Sequence, residues 1–116
     1  FPNDAFGQHL ATSERFDDQV SDCVLMDEAQ KYYANILWPL AKIIAKKLDD
    51  LAKLNLEIDM IAPSHGIIWR KDPNKIINAY LNWTKSTGNR KVVIFYETMW
   101  GSTEKMAREI AAGLML

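Results

Sequence analysis

Apolar residues recur at helical spacing in several stretches of the chain. A first helix is predicted from Asp27 to Pro39, which either interrupts it or starts the next helix. A second is predicted from about Leu40 to Leu54, where apolar residues follow the i, i+3, i+4 pattern. A third is expected to start at Asp72, with Pro73 in its first turn. A fourth helix is predicted after Ser102, where apolar residues again recur at helical spacing. The chain is therefore expected to be rich in amphipathic helices.

Two short apolar runs have the character of strands. Ile58–Ala62 is mostly apolar and is bounded by Pro63, and Lys91–Tyr96 is rich in β-branched and aromatic residues. The second run is typical of a strand that is buried on both faces, as in a parallel sheet. Composition changes near Gly88, so we expect one unit over residues 1–87 and a single β-loop-α unit over residues 88–116.

Composition narrows the class of protein. The 116 residues are 48% hydrophobic and 25% charged, with a net charge of −1. This balance is typical of a globular protein, and it argues against nucleic acid or a membrane as the partner. The single cysteine, Cys23, cannot form an internal disulfide, which fits a reducing, cytoplasmic compartment. Neither end of the chain resembles a natural terminus, so we expect both to be cut.

The loop between the second predicted strand and the last helix is a candidate anion site. Backbone N–H groups at a helix N-terminus lack partners, and the helix dipole favours a negative charge there. Gly101 permits close approach of a ligand, and the hydroxyls of Thr98, Ser102 and Thr103 are potential donors to phosphate. The loop has neither a Walker ending nor the dinucleotide G-x-G-x-x-G pattern. A structural alternative stays open, in which Ser102 or Thr103 only caps the helix.

Asp4 and His65 are possible metal ligands. His65 lies in a Ser-His-Gly turn just after a predicted strand, and Asp4 lies in a loop-prone stretch. Either side chain by itself is more typical of a turn or a surface. The pattern of residues therefore goes no further than possible ligands.

Three segments together resemble one family, the flavodiiron proteins. They are Asn-Asp-Ala-Phe-Gly-Gln-His at residues 3–9, Ile-Ala-Pro-Ser-His-Gly-Ile-Ile-Trp at residues 61–69, and the loop and helix start at residues 96–107. The resemblance implies an α/β chain, with the C-terminal part of a metallo-β-lactamase-like αββα domain at residues 1–87. The first β-loop-α unit of a flavodoxin-like doubly wound domain would follow at residues 88–116.

The same resemblance implies roles for particular residues. Asp4 matches the carboxylate that bridges two irons, and His65 matches a histidine ligand of one iron. The last loop is similar to the flavodoxin phosphate loop T-x-T-G-x-T, although Trp100 replaces a hydroxyl residue. The residues implied in FMN binding are Thr98, Met99, Trp100, Gly101, Ser102 and Thr103. No ligand role is implied for His9. The family's remaining metal ligands are absent here, so the chain would complete neither site.

The activity that the resemblance implies is reduction of dioxygen to water, of nitric oxide to nitrous oxide, or of both. The implied cofactors are FMN and two iron ions, and the implied partners are a rubredoxin-type electron donor and a second copy in a head-to-tail homodimer. Two alternatives stay open. A zinc hydrolase of the metallo-β-lactamase type would share Asp4 and His65, but it has no need of a flavin loop. A non-catalytic remnant or electron carrier is the other.

Overall fold

Four α-helices make up most of the regular structure in residues 2–85 and 91–115, the part of the chain that the computed structural model describes. Helix α1 covers Asp22–Tyr32, α2 covers Ala41–Lys53, α3 covers Pro73–Thr84 and α4 covers Ser102–Leu114. A 3-10 turn at Asp17–Gln19 precedes α1. The predicted boundary near residues 87 and 88 lies outside the described residues.

Helix α1 begins at Asp22, ahead of the predicted start at Asp27. Its buried side chains are Leu25, Ala29 and Tyr32, which recur at helical spacing. This apolar face starts before Asp27, and its burial extends the helix toward the N-terminus. The predicted start was wrong because a cluster of acidic residues resembled a first turn.

The predicted interruption at Pro39 is confirmed. A π-helical turn covers Tyr33–Leu37, and a 3-10 turn that contains the proline covers Trp38–Leu40. Proline has no N–H to donate and its ring clashes with the preceding turn, so a regular helix cannot pass through it. Helix α2 then starts at Ala41, within one residue of the prediction. Along α2 only Leu48 is buried, and it packs in the core.

The predicted start of α3 is also confirmed. Asp72 stands at the N-cap, where its carboxylate accepts a hydrogen bond from the Lys75 N–H at 3.3 Å. Pro73 occupies the first turn, where its missing N–H costs nothing. Ile76 and Tyr80 on this helix are fully buried. These two side chains anchor α3 in the core.

Neither predicted strand forms as a strand in the described residues. Ile61 makes a single antiparallel bridge to Trp69, and Phe16 makes a single parallel bridge to Ile68. Residues 91–98 have no regular structure, and Val93 and Phe95 are exposed at 70% and 91%. A buried parallel strand needs neighbouring strands on both sides, and the described residues supply none. The prediction of a buried strand at Lys91–Tyr96 is therefore wrong for this chain by itself.

The core is concentrated in residues 2–85. It joins the inner faces of α1 and α3 to loop residues, among them Phe6, Ile67 and Trp69. In residues 91–115 only Ala107 is buried, and it lies outside that core. The radius of gyration is 18.5 Å, against about 13 Å for a compact domain of this length. Residues 91–115 thus contribute little to the common core.

Candidate functional site

Two turns that are distant in the sequence bring Asp4 and His65 together. The Asp4 carboxylate Oδ1 lies 3.3 Å from the His65 imidazole Nε2, and each side chain is 50% exposed. Asp4 lies in a turn that closes when the Gly7 N–H donates to the Asp4 carbonyl at 3.2 Å. His65 lies in the bend that follows the bridge at Ile61. Both candidate ligands therefore face the same open site.

Backbone hydrogen bonds hold the two turns in register. The Ser64 N–H donates to the Asn3 carbonyl at 2.9 Å, and the Gln8 N–H donates to the His65 carbonyl at 3.3 Å. On the exposed side, the Ser64 hydroxyl donates to the Asn3 amide oxygen at 2.8 Å. These hydrogen bonds lie on either side of Asp4 and hold its turn against the turn that carries His65.

Gln8 is the residue of this site that the sequence did not reveal. Its side chain is fully buried, its Nε2 donates to the carbonyls of Phe6 and Ile67, and its Oε1 accepts from the Ile67 N–H at 2.6 Å. A buried amide must have its donors and acceptors paired, and here the two turns pair them. The only local signal is a glutamine beside Gly7, which is too common to single out.

Gly66 makes room for that glutamine. Its φ is +83°, in the left-handed region that favours glycine. A Cβ atom at this position would lie 2.0 Å from the Gln8 Oε1 atom and 2.4 Å from its carbonyl oxygen. The Ser-His-Gly turn therefore needs its glycine both for backbone conformation and for space.

Phe6 holds an unusual conformation beside Asp4. Its φ is +67°, which a bulky L-residue rarely adopts. The Phe6 N–H donates to the Tyr80 hydroxyl at 2.7 Å, and the Phe6 carbonyl accepts from the Trp69 Nε1 at 2.9 Å. Tyr80 is fully buried, and this burial raises the pKa of its hydroxyl. The hydroxyl therefore stays neutral at any physiological pH.

Two aromatic rings stand next to the Asp4–His65 pair. The His9 ring meets the Tyr32 ring edge-on at 4.8 Å between centroids, and it lies 6.1 Å from the His65 ring. Burial raises the pKa of Tyr32, and the negative charge of Asp4 adds to the effect. The His9 ring thus packs against Tyr32 close to the site.

The donor set suits a first-row transition metal but is incomplete. An imidazole nitrogen and a carboxylate oxygen are ligands that iron and zinc both accept. Within residues 2–85 and 91–115, no group of three or more His, Cys, Asp or Glu side chains is placed to hold a metal ion. Further ligands would have to come from elsewhere in a larger protein.

The second candidate site is the turn before α4. The Gly101 N–H donates to the Thr98 hydroxyl oxygen at 2.9 Å, and Gly101 has a φ of +77° with no atom within 4 Å of an added Cβ. Helix α4 starts at Ser102 with Gly101 at the N-cap and no side-chain cap. Ser102 and Thr103 therefore do not cap the helix, and the open structural alternative is not observed. The first-turn amides are left for an external acceptor.

The exposed side chains of Met99 and Trp100 flank this turn. They are 85% and 87% exposed, so neither is held by packing on the described residues. The Thr98 hydroxyl accepts from Gly101 and keeps its own proton free to donate. Thr98 and Gly101 thus lie in the turn, and Ser102 and Thr103 lie directly after it at the start of α4. In the described part of the chain, no helix is long and apolar enough to cross a membrane.

Comparisons with known proteins identify relatives of this chain. No protein-family model matches the chain. A nitric oxide reductase of Moorella thermoacetica is 63% identical over 114 residues, which are 98% of this chain and 29% of that protein. The rubredoxin oxygen:oxidoreductase of Desulfovibrio gigas superposes with a TM-score of 0.87 at 39% identity, over 97% of this chain and 29% of that one.

A third match carries the family name. The flavodiiron protein of Giardia intestinalis superposes with a TM-score of 0.81 at 34% identity, over 96% of this chain and 27% of that one. The sequence and fold thus match one class of proteins along nearly the whole chain. This chain belongs to the flavodiiron family, and the resemblance found in its motifs is confirmed. It spans less than a third of the length of these relatives.

Proposed function

We propose that the protein to which this chain belongs is a flavodiiron oxidoreductase that reduces dioxygen to water, nitric oxide to nitrous oxide, or both. The observation that carries the proposal is the 3.3 Å approach of the Asp4 carboxylate to the His65 imidazole. It is supported by the names of the relatives, which include a nitric oxide reductase and a rubredoxin oxygen:oxidoreductase. Residues 1–87 would then belong to a metallo-β-lactamase-like domain and residues 88–116 to a flavodoxin-like domain.

In this proposal Asp4 would be a ligand shared by two irons, and His65 would be a ligand of one of them. The donor chemistry fits, since oxygen and nitrogen ligands suit iron, and both side chains are open enough to receive a metal. The hydrogen-bonded turns support the ligands at a defined separation. Asp4 and His65 are too few for two ions, so the remaining ligands are assigned to a part of the protein outside this chain.

Residues 98–103 hold the phosphate of FMN in this proposal. The uncapped start of α4 and the left-handed Gly101 fit an anion, because the amides of the first turn have no side-chain acceptor. Thr98, Ser102 and Thr103 add hydroxyl donors, and the backbone from Met99 to Thr103 adds N–H donors, apart from the Gly101 N–H that the Thr98 hydroxyl accepts. Trp100 is free to flank the flavin. When bound, the flavin and the irons supply the electrons that reduction of these substrates requires.

The partners are part of the same proposal. They are a rubredoxin-type electron donor and a second copy of the protein, arranged head to tail so that the flavin of one subunit meets the metals of the other. The donor and the dimer rest on the family and not on contacts within this chain. We also propose a cytoplasmic location, a reducing compartment that suits the free and exposed Cys23 of this chain.

A zinc hydrolase is the competing function, because Asp4 and His65 would serve zinc equally well. Zinc has no redox chemistry, so metal and flavin content separate the two. The test is to purify the full-length protein and to measure iron, zinc and FMN together with consumption of dioxygen and nitric oxide. We expect two irons, one FMN per chain and reductase activity. Zinc without flavin, together with hydrolysis of a β-lactam or thioester, would overturn the proposal.

A further inference from the structure

The Phe6 backbone is held at its N–H and at its carbonyl by hydrogen bonds with three buried side chains. Tyr80 on α3 accepts its N–H at 2.7 Å, across 74 positions of sequence. Trp69 donates to its carbonyl at 2.9 Å, and the Gln8 amide donates to the same carbonyl at 3.2 Å. All three of these side chains are buried, which strengthens such bonds relative to water.

This arrangement acts on Asp4 through a short piece of backbone. Asp4 and Gly7 close one turn, so the left-handed φ of Phe6 helps to set where that turn places the carboxylate. A phenylalanine with φ of +67° is strained by itself, and it keeps this conformation only when its surroundings hold it. If the hold were lost, Phe6 would relax toward ordinary φ values and the Asp4 turn would open.

We propose that Tyr80 is a positioning residue for the metal centre, whose hydroxyl holds the Phe6 peptide and so fixes the Asp4 carboxylate opposite His65. The inference rests on the proposed function, because it assumes that Asp4 and His65 bind metal. Tyr80 touches no ligand side chain and acts only through the backbone. Its effect is therefore expected on metal affinity and on the mobility of the turn.

The chain offers a matched control for the tyrosine. Tyr33 belongs to the same aromatic cluster, with its ring 5.0 Å from that of Tyr80, and it is also buried. Within the described residues, its hydroxyl has no hydrogen-bond partner. Tyr33→Phe and Tyr80→Phe therefore remove the same atom from the same cluster, but only Tyr80→Phe breaks a bond to the Asp4 turn.

The experiment compares the two variants in the full-length protein. Two properties are measured: iron affinity by competition with a chelator, and hydrogen–deuterium exchange of residues 3–9 in the metal-free form. Tyr80→Phe should bind iron about ten-fold more weakly. This is the lower end of the loss in metal affinity that follows removal of a group that orients a metal ligand. The variant should also exchange faster in residues 3–9. Tyr33→Phe should match the wild type in both, and FMN content should be unchanged in both variants.

A second variant keeps the test decisive if Tyr80→Phe does not fold. Trp69→Phe leaves Tyr80 in place and removes the Nε1–H that holds the Phe6 carbonyl. If the held Phe6 backbone fixes Asp4, this variant should also bind iron more weakly and exchange faster in residues 3–9. Wild-type iron affinity and exchange in Tyr80→Phe, or in Trp69→Phe if Tyr80→Phe does not fold, would overturn the inference. A wild-type protein that lacks two irons would instead overturn the proposed function.

Discussion

The Nε2 atom of His65 lies 3.3 Å from the Oδ1 atom of Asp4, although helices α1 and α2 separate the two residues along the chain. Ordinary salt bridges on a surface contribute little, so stability alone is a weak reason for this pair. Both side chains stand on turns that hydrogen bonds hold side by side. A shared metal would explain why the turns converge.

Removal of either side chain should therefore empty the metal site. In the full-length protein, Asp4→Ala and His65→Ala should each reduce iron well below two per chain, because a missing ligand cannot be replaced by its neighbours. The measurement is elemental analysis of purified protein. Asp59→Ala is a suitable control, since Asp59 is an exposed carboxylate outside the site. Full iron occupancy in both site variants would contradict the assignment.

The phosphate loop predicts a loss of flavin affinity. Thr103→Ala removes a hydroxyl from the first turn of α4, where no side chain competes for the anion. Loss of one charge-assisted hydrogen bond should cost about 1.5–3 kcal/mol, or roughly ten- to a hundredfold in the Kd for FMN. Flavin titration of the full-length apoprotein measures it. Thr12→Ala, at an exposed threonine outside the loop, should bind as the wild type does.

Gly66 should be intolerant of substitution for steric reasons. Gly66→Ala combines a left-handed φ of +83° with a Cβ only 2.0 Å from the buried Gln8 amide oxygen. Strain and overpacking together should lower the free energy of unfolding by about 2–5 kcal/mol. Gly113→Ala, within α4 and with nothing within 4 Å of the added Cβ, should be neutral or stabilising by up to about 1 kcal/mol. Denaturant unfolding of the full-length variants compares them, and equal stability would argue against the described turn.

The 116 residues expressed alone should bind neither two irons nor FMN with useful affinity. One carboxylate and one imidazole are too few ligands for two metals, and the turn before α4 offers only an anion site. The exposed Val92, Val93 and Phe95 should also favour association with other chains. Metal analysis and the visible spectrum of the purified segment test this. A stoichiometric yellow flavin, or two irons per chain, would show the prediction to be wrong.

Local features of the structure were predictable from the sequence. The start of α3 follows from Asp72 and Pro73, because capping and a fixed proline φ act within a few residues. The interruption at Pro39 has an equally local cause. The turn before α4 was also predictable, because Gly101 stands between a hydroxyl-rich loop and an apolar pattern at helical spacing. Glycine readily takes the left-handed conformation that this turn requires. The start of α1 was missed, because buried contacts and not acidic residues decide it.

The sequence by itself thus determined most of the helix boundaries, the turn before α4 and, through its motifs, the family. Only the tertiary structure decided that Asp4 meets His65, that Gln8 is buried between their turns, and that Tyr80 holds the Phe6 peptide. These contacts join residues far apart in the chain, and no local spacing encodes them. The run at Lys91–Tyr96 also depends on residues outside itself, and it forms no strand in the described residues. A strand exists only through hydrogen bonds to its neighbours, so its sequence can favour a strand without being able to form one alone.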